Sequence, residues 1–168
     1  NVHVDLGPDG TVYVRQGFSS DSLTLKHKSQ ILCKSTDGGR TWSATPLNLP
    51  EALASEWVGG WKVLSDGTFI AVSMAAGANV RTSAIVWAST DEGKSWTQRA
   101  QIPVGMGLPT GKPYQSRYIH RGLSRLADDT LLWAVDIRDN PYTDGVGIYS
   151  FRSTDGGVTW EEPDLMID

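Results

Sequence analysis

The side chains able to do ligand chemistry in this sequence stand in stretches that do not repeat. Arg81, Arg117, Arg121 and Arg138 occur there with Trp57, Trp61, Tyr114, Tyr118 and Tyr142, accompanied by Glu56 and His120. A guanidinium holds a carboxylate by two parallel hydrogen bonds. An indole or phenol ring offers an apolar face with a polar edge. Together they point to sugars or carboxylates as the ligand class. Other chemistries fail on spacing. Gly105 to Lys112 has the glycines of a phosphate loop, but their spacing differs, and Pro113 stands where Ser or Thr would coordinate magnesium. His3, His27 and His120 are too far apart for metal-ligand spacing, and no Gly-x-Ser-x-Gly elbow is present. No cofactor and no metal are expected.

The elements that must position these residues are announced by a repeat. Ser35-Thr36-Asp37-Gly38-Gly39-Arg40-Thr41-Trp42 recurs as Ser89-Thr90-Asp91-Glu92-Gly93-Lys94-Ser95-Trp96, and again as Ser153-Thr154-Asp155-Gly156-Gly157-Val158-Thr159-Trp160. Asp37, Asp91 and Asp155 are separated by 54 and then 64 residues. A second signal runs in phase. Asp9-Gly10-Thr11, Asp66-Gly67-Thr68 and Asp128-Asp129-Thr130 each lie between alternating apolar runs, where Asp-Gly supplies the positive φ of a hairpin turn. Each unit therefore reads as four antiparallel strands. One precedes the turn, and one leaves it (Thr11 to Val14, Phe69 to Val72, Leu131 to Val135). A third runs into the eight-residue box (Ile31 to Lys34, Ala84 to Ala88, Ile148 to Arg152), and a fourth starts at its tryptophan. A third of the 168 residues, about 56, is the size of a propeller blade. The fold class is all-β: one propeller segment over 1–168, with blades near 1–50, 51–105 and 106–168. No helix is expected beyond a turn within Glu51 to Trp57.

The chemistry of the box is structural. Its Ser and Asp bond to the loop's own backbone, its Gly takes a backbone conformation costly for other residues, and its Trp buries a large ring. A catalytic carboxylate would be needed once, whereas this one recurs in every unit. Trp42, Trp96 and Trp160 are expected to be buried and equivalent.

The box resembles the Asp-box, or BNR repeat, of sialidases and related propellers, and the resemblance extends over all three units. It implies a sialidase-like β-propeller. Full sialidase propellers have six blades, and a ring needs about four to close. Three blades thus imply either more blades in a parent chain or a homodimer of two half-propellers. The resemblance also implies that ligand sits on the face opposite turn and box, made by the loops Arg15 to Lys28, Met74 to Thr82 and Asp136 to Val146 and by the connections Ser43 to Gly60 and Thr97 to Arg121. Sialidases clamp their sugar's carboxylate with three arginines, use an Asp as acid/base and a Tyr–Glu pair as nucleophile. Their first arginine opens an innermost strand in an Arg-Ile-Pro pattern shortly before an Asp-Gly turn. Here Arg121 precedes Asp129 by eight residues, and Asp144 lies in the following loop. The resemblance makes Arg121 the carboxylate clamp and Asp144 the acid/base. Arg138, Arg117, Tyr118, Tyr142 and Trp57 are the remaining substrate-binding candidates. Gly122-Leu123 replaces Ile-Pro, and no Tyr–Glu pair is assignable. The expected function is that of a glycan-directed, sialidase-like glycoside hydrolase or a segment of one. The alternative is a non-catalytic propeller that binds carbohydrate or protein, or a scaffold assembled from half-propellers.

Charge and composition agree with that class. A net charge of −4, with Lys26-His27-Lys28 the only basic cluster, argues against a nucleic-acid partner. No apolar run reaches the roughly 18 residues of a membrane span. The single cysteine, Cys33, permits no internal disulfide and reads as a small buried residue. The chain begins at Asn1 rather than Met, which reads as a mature form or an excerpt. Together with the resemblance, the expected location is secreted or periplasmic.

Overall fold

Three turns organise the backbone. In a computed structural model describing residues 2–17, 30–50, 60–74, 83–103, 121–138 and 145–167, each turn closes by the same bonds. The Gly7, Leu64 and Leu126 amides donate to the carbonyls of Thr11, Thr68 and Thr130 at 2.8, 2.8 and 2.9 Å. The threonine amides in turn donate to the carboxylates of Asp9, Asp66 and Asp128 at 3.0, 2.8 and 3.1 Å. Gly10 and Gly67 take φ of 82° and 84°, as the turn requires. In the third turn Asp129 occupies that position at φ 64°.

Strands pair around these turns into three sheets. The first contains β1 (Val2–Leu6), β2 (Val12–Gly17), β3 (Gln30–Ser35) and β4 (Ser43–Pro46). The second contains β5 (Gly60–Val63), β6 (Phe69–Met74), β7 (Ser83–Ser89) and β8 (Thr97–Pro103). The third contains β9 (Arg121–Arg125), β10 (Leu131–Arg138), β11 (Gly145–Ser153) and β12 (Asp164–Ile167). Every sheet is an antiparallel meander in chain order, and no described residue is helical. Strand β12 begins four residues after Trp160, where β4 and β8 begin directly after their tryptophans. Pro163, which has no amide to donate, delays it.

Apolar residues fall on both faces of the middle sheet, and both are buried. One face, with Trp61, Val63, Phe69 and Ala71, packs on Tyr13 and Leu32 of the first sheet. Tyr13, Trp61 and Phe69 meet edge to face, with centroids 4.9 to 6.3 Å apart. The other face, with Ile70, Val72, Val86 and Ala88, packs on Leu123, Leu131, Trp133 and Phe151 of the third. Polar clasps flank both seams. Asp5 accepts from the Val63 amide at 2.7 Å and pairs with Lys62 at 3.3 Å. Asp129 accepts from the Ser65 amide at 3.0 Å and from its hydroxyl, while Arg125 approaches at 3.2 Å. The strained φ of Asp129 thus brings a carboxylate that glycine lacks. Gly60, at φ 154°, lets β5 approach β9 closely, since a Cβ there would stand 2.7 Å from the Leu123 Cβ.

The outer faces differ. On the first sheet, cross-strand partners place Val4, Leu6, Val12, Val14, Ile31, Cys33, Ala44 and Pro46 on one face, with no charge among them. Val4 and Leu6 are 59% and 56% exposed. Cys33 belongs to this face and is only half-buried, since none of the sheets among the described residues covers it. The far face of the third sheet mixes Leu132, Ala134 and Ile148 with Ser150, Arg152 and Asp164. Among the described residues no helix is long and apolar enough to cross a membrane.

Candidate functional site

The boxes close on themselves. In the first, the Ser35 hydroxyl donates to Asp37 at 2.8 Å and accepts from the Gly39 amide at 2.9 Å. Asp37 also accepts from the Arg40 and Thr41 amides, both at 2.9 Å, and from the Thr41 hydroxyl at 2.6 Å. The second and third boxes repeat the pattern at Asp91 and Asp155. Carboxylates so surrounded by donors stay ionised to low pH. The Thr41 hydroxyl and amide hold Asp37 well below the usual range. The Ser95 hydroxyl and amide hold Asp91 at about 2. Burial works against Asp155, yet the Thr159 hydroxyl and amide still bring it down to about 2. Such groups neither give nor take a proton near neutral pH, so the boxes are scaffold.

Trp42, Trp96 and Trp160 each donate the indole N–H to the box glycine carbonyl at 3.0, 3.1 and 3.2 Å. Their expected equal burial does not hold. Trp96 and Trp160 pack partly against the two seams, whereas Trp42 is 47% exposed. The second and third boxes lean on the sheet before them, and among the described residues no sheet precedes the first. A Cβ on Gly93 would meet Leu47, and one on Gly157 would meet Val86, but one on Gly39 would meet only its own Trp42.

The ligand-type arginines of the third sheet stand at the opposite ends of its strands. Antiparallel pairing sets Arg121 across from Val135 at the start of β9, and Arg138 across from Gly145 at the end of β10. Both arginines thus stand at the end of the third sheet remote from its turn and box, and Gly145 directly follows Asp144. The side chains of Arg121 and Arg138 lie outside the described residues, as do Asp144, Arg117, Tyr118, Tyr142 and Trp57 entirely. Glu56, Arg81, Tyr114 and His120 lie outside them too.

Met74, Asp136 to Arg138 and Gly145-Val146, read as loop, lie in β6, β10 and β11, and two side chains take places the sequence did not assign them. Trp61, grouped with the sugar-gripping aromatics, is 3% exposed and belongs to the first seam. Its position in β5, paired with Ala71, faces the core. Arg15, assigned to a loop, lies inside β2 opposite His3 and is 8% exposed. Burial lowers its pKa to about 10. Burial and the Arg15 charge together lower that of His3. The signal for Arg15 was its period: two residues beyond Tyr13, it shares the seam face. A cleft of about 410 Å³ opens between β8 and the third box, lined by Gln101, Ile102, Trp160, Glu161, Glu162 and Pro163 among others, and none of the ligand-binding candidates read from the sequence lines it. Among the described residues no cluster of His, Cys, Asp and Glu is arranged to hold a metal.

Comparison with known proteins places this geometry. The BNR/Asp-box repeat model matches residues 34–44 and 151–162. The middle box lies outside that match, with Glu92 and Ser95 where the first box has Gly38 and Thr41, yet it closes by the same bonds. No curated protein matches. An α-L-arabinofuranosidase of Fusarium graminearum shares 16% identity at TM-score 0.57, over 98% of this chain and 48% of its own. An α-L-arabinanase of Penicillium chrysogenum, solved with arabinobiose, shares 14% at TM-score 0.57, over 99% and 49%. A Hadza microbial sialidase shares 17% at TM-score 0.55, over 96% and 32%. The chain spans about half or less of the length of these structures. At such identities the likeness is one of fold. The chain thus carries BNR/Asp-box repeats on three four-stranded antiparallel sheets, and its fold is like that of about half of a propeller glycoside hydrolase.

Proposed function

We propose that the chain supplies three blades of a glycan-directed propeller of the glycoside-hydrolase type, secreted or periplasmic. Ligand would be held at the strand ends opposite the boxes. The observation that carries this reading is the register of the third sheet, which sets the backbones of Arg121 and Arg138 and the residue after Asp144 at one end, away from carboxylates already saturated by their own loops. In this reading Arg121 and Arg138 hold a carboxylate or hydroxyls of the sugar. Arg117, Tyr118, Tyr142 and Trp57 complete its binding. Asp144 protonates the departing glycosidic oxygen, as one carboxyl of a glycosidase pair does. The full ring needs more blades, from further polypeptide or from a second copy. A second reading, binding without hydrolysis, is favoured by Leu123. It stands where sialidases carry proline and is 6% exposed in the seam, so it serves packing.

Calorimetric titration with arabinobiose and with sialic acid, beside release of sugar from aryl arabinofuranosides and aryl sialosides, separates the readings. Binding weakened about tenfold or more by Arg121→Ala, the loss of one charge-assisted bidentate contact, with hydrolysis abolished by Asp144→Asn, supports the hydrolase. Binding with no hydrolysis by the wild type supports the second reading. No response to either sugar defeats both.

A further inference from the structure

The cleft beside the third box arises from a local excess of chain. The Glu161 amide donates to the Arg152 carbonyl at 2.8 Å, and the ladder resumes with Asp164 opposite Ser150. Glu162 and Pro163 thus stand together against the single residue Phe151, as in a bulge, and the proline has no amide to give the ladder. The cleft of about 410 Å³ opens at this point, within the size range of small-ligand sites. Its walls are β8 of the second sheet on one side, and β11 with the third box on the other. These two sheets already pack on each other through the second seam, so the cleft is not part of either outer face.

Its lining has one chemical bias. Ile102 and Phe151, both buried, supply apolar surface. The Trp160 N–H is committed to the Gly157 carbonyl and the Thr159 hydroxyl to Asp155, and Gln101 is engaged as well. Glu161 and Glu162 are exposed, and their carboxylates have no hydrogen-bond or ion-pair partner among the described residues. No Lys or Arg lines the cleft. What remains for a ligand is two adjacent carboxylates, which only accept, beside an indole ring. A sugar hydroxyl must both donate and accept, so this lining serves half of its needs, and an anion would be repelled. A guanidinium matches throughout: it only donates, its fork fits a carboxylate, and its plane stacks on an aromatic face. We propose that the cleft receives an arginine side chain of a partner peptide. This goes beyond the glycan reading and does not depend on sugar binding at Arg121.

Titration of the whole chain with acetyl-Gly-Arg-Gly-amide, followed by nuclear magnetic resonance, tests it. The Trp160 indole N–H signal, assigned by its loss in Trp160→Phe, should shift with a Kd of about 1 mM or below, while those of Trp42 and Trp96 stay. Glu161→Gln and Glu162→Gln, at exposed positions that leave the fold intact, should each raise that Kd about tenfold. Asp164→Asn removes the same charge outside the lining and should change it by less than about twofold. The same peptide with uncharged citrulline in place of arginine should give no shift. A Trp160 signal that does not move, or a Kd that neither glutamine variant changes, would overturn the proposal. So would a shift of equal size with the citrulline peptide. A larger shift with arabinobiose, lost in the same two variants, would overturn it too and make the cleft a sugar subsite.

Discussion

The first and third boxes differ at one of eight positions, Arg40 against Val158, and they close by the same hydrogen bonds. Their surroundings are unlike. Gly157 sits against Val86 and Leu131, while Gly39 meets only its own Trp42. A motif that satisfies its own backbone needs no neighbour to form. Burying its tryptophan does need one, and among the described residues none lies against the first box. Local hydrogen bonding and interblade packing are separate contributions in this fold.

The comparison can be broken from the packing side first. Trp133→Ala empties the middle of the second seam, where the ring is fully buried against Phe151 at a centroid distance of 5.3 Å. A loss of about 3 to 5 kcal/mol is expected, as for large aromatics in cores, read by urea denaturation. A loss below about 1 kcal/mol would show the seam to be loosely packed.

A finer test sets equivalent tryptophans against each other. Trp160→Ala should cost about 2 kcal/mol and Trp42→Ala about 1 kcal/mol or less, since the second ring leaves only half its surface to lose. Equal losses would mean that the hydrogen bond to the box glycine, rather than burial, carries both.

The smallest effect should be the same in every blade. Each box Asp has a folded pKa below its unfolded value, so its contribution to stability is fully present above about pH 4 and is lost as pH falls toward about 2. Unfolding free energy measured between pH 5 and pH 2 should decline accordingly. Asp91→Asn and Asp155→Asn should each flatten that decline by a similar amount, because the donors belong to the box itself. A flattening confined to one box would show that neighbouring sheets tune the carboxylates.

The residues explain what was legible and what was not. The turn at Asp66-Gly67-Thr68 and the box at Asp91 were readable because positive φ, Asx bonds and strand alternation are properties of a few adjacent residues. Trp61 was misplaced among the ligand residues because an aromatic beside a long connection looks the same whether it faces a sugar or a seam. Arg15 was placed in a loop because a cation near a strand end reads as its end, while its two-residue spacing from Tyr13 put it on the buried face.

By itself, then, the sequence determined the unit: four strands, one turn, one self-satisfied box, repeated three times, with the ligand-type residues gathered in the stretches that do not repeat. Only the tertiary structure decided which face of each sheet is covered, that Trp42 stays exposed while Trp96 and Trp160 do not, and that Asp129 reaches across to Ser65. The reason is one of range. Hydrogen bonds within eight residues are written in those residues, whereas burial of a face depends on a partner some 60 residues away or on another chain.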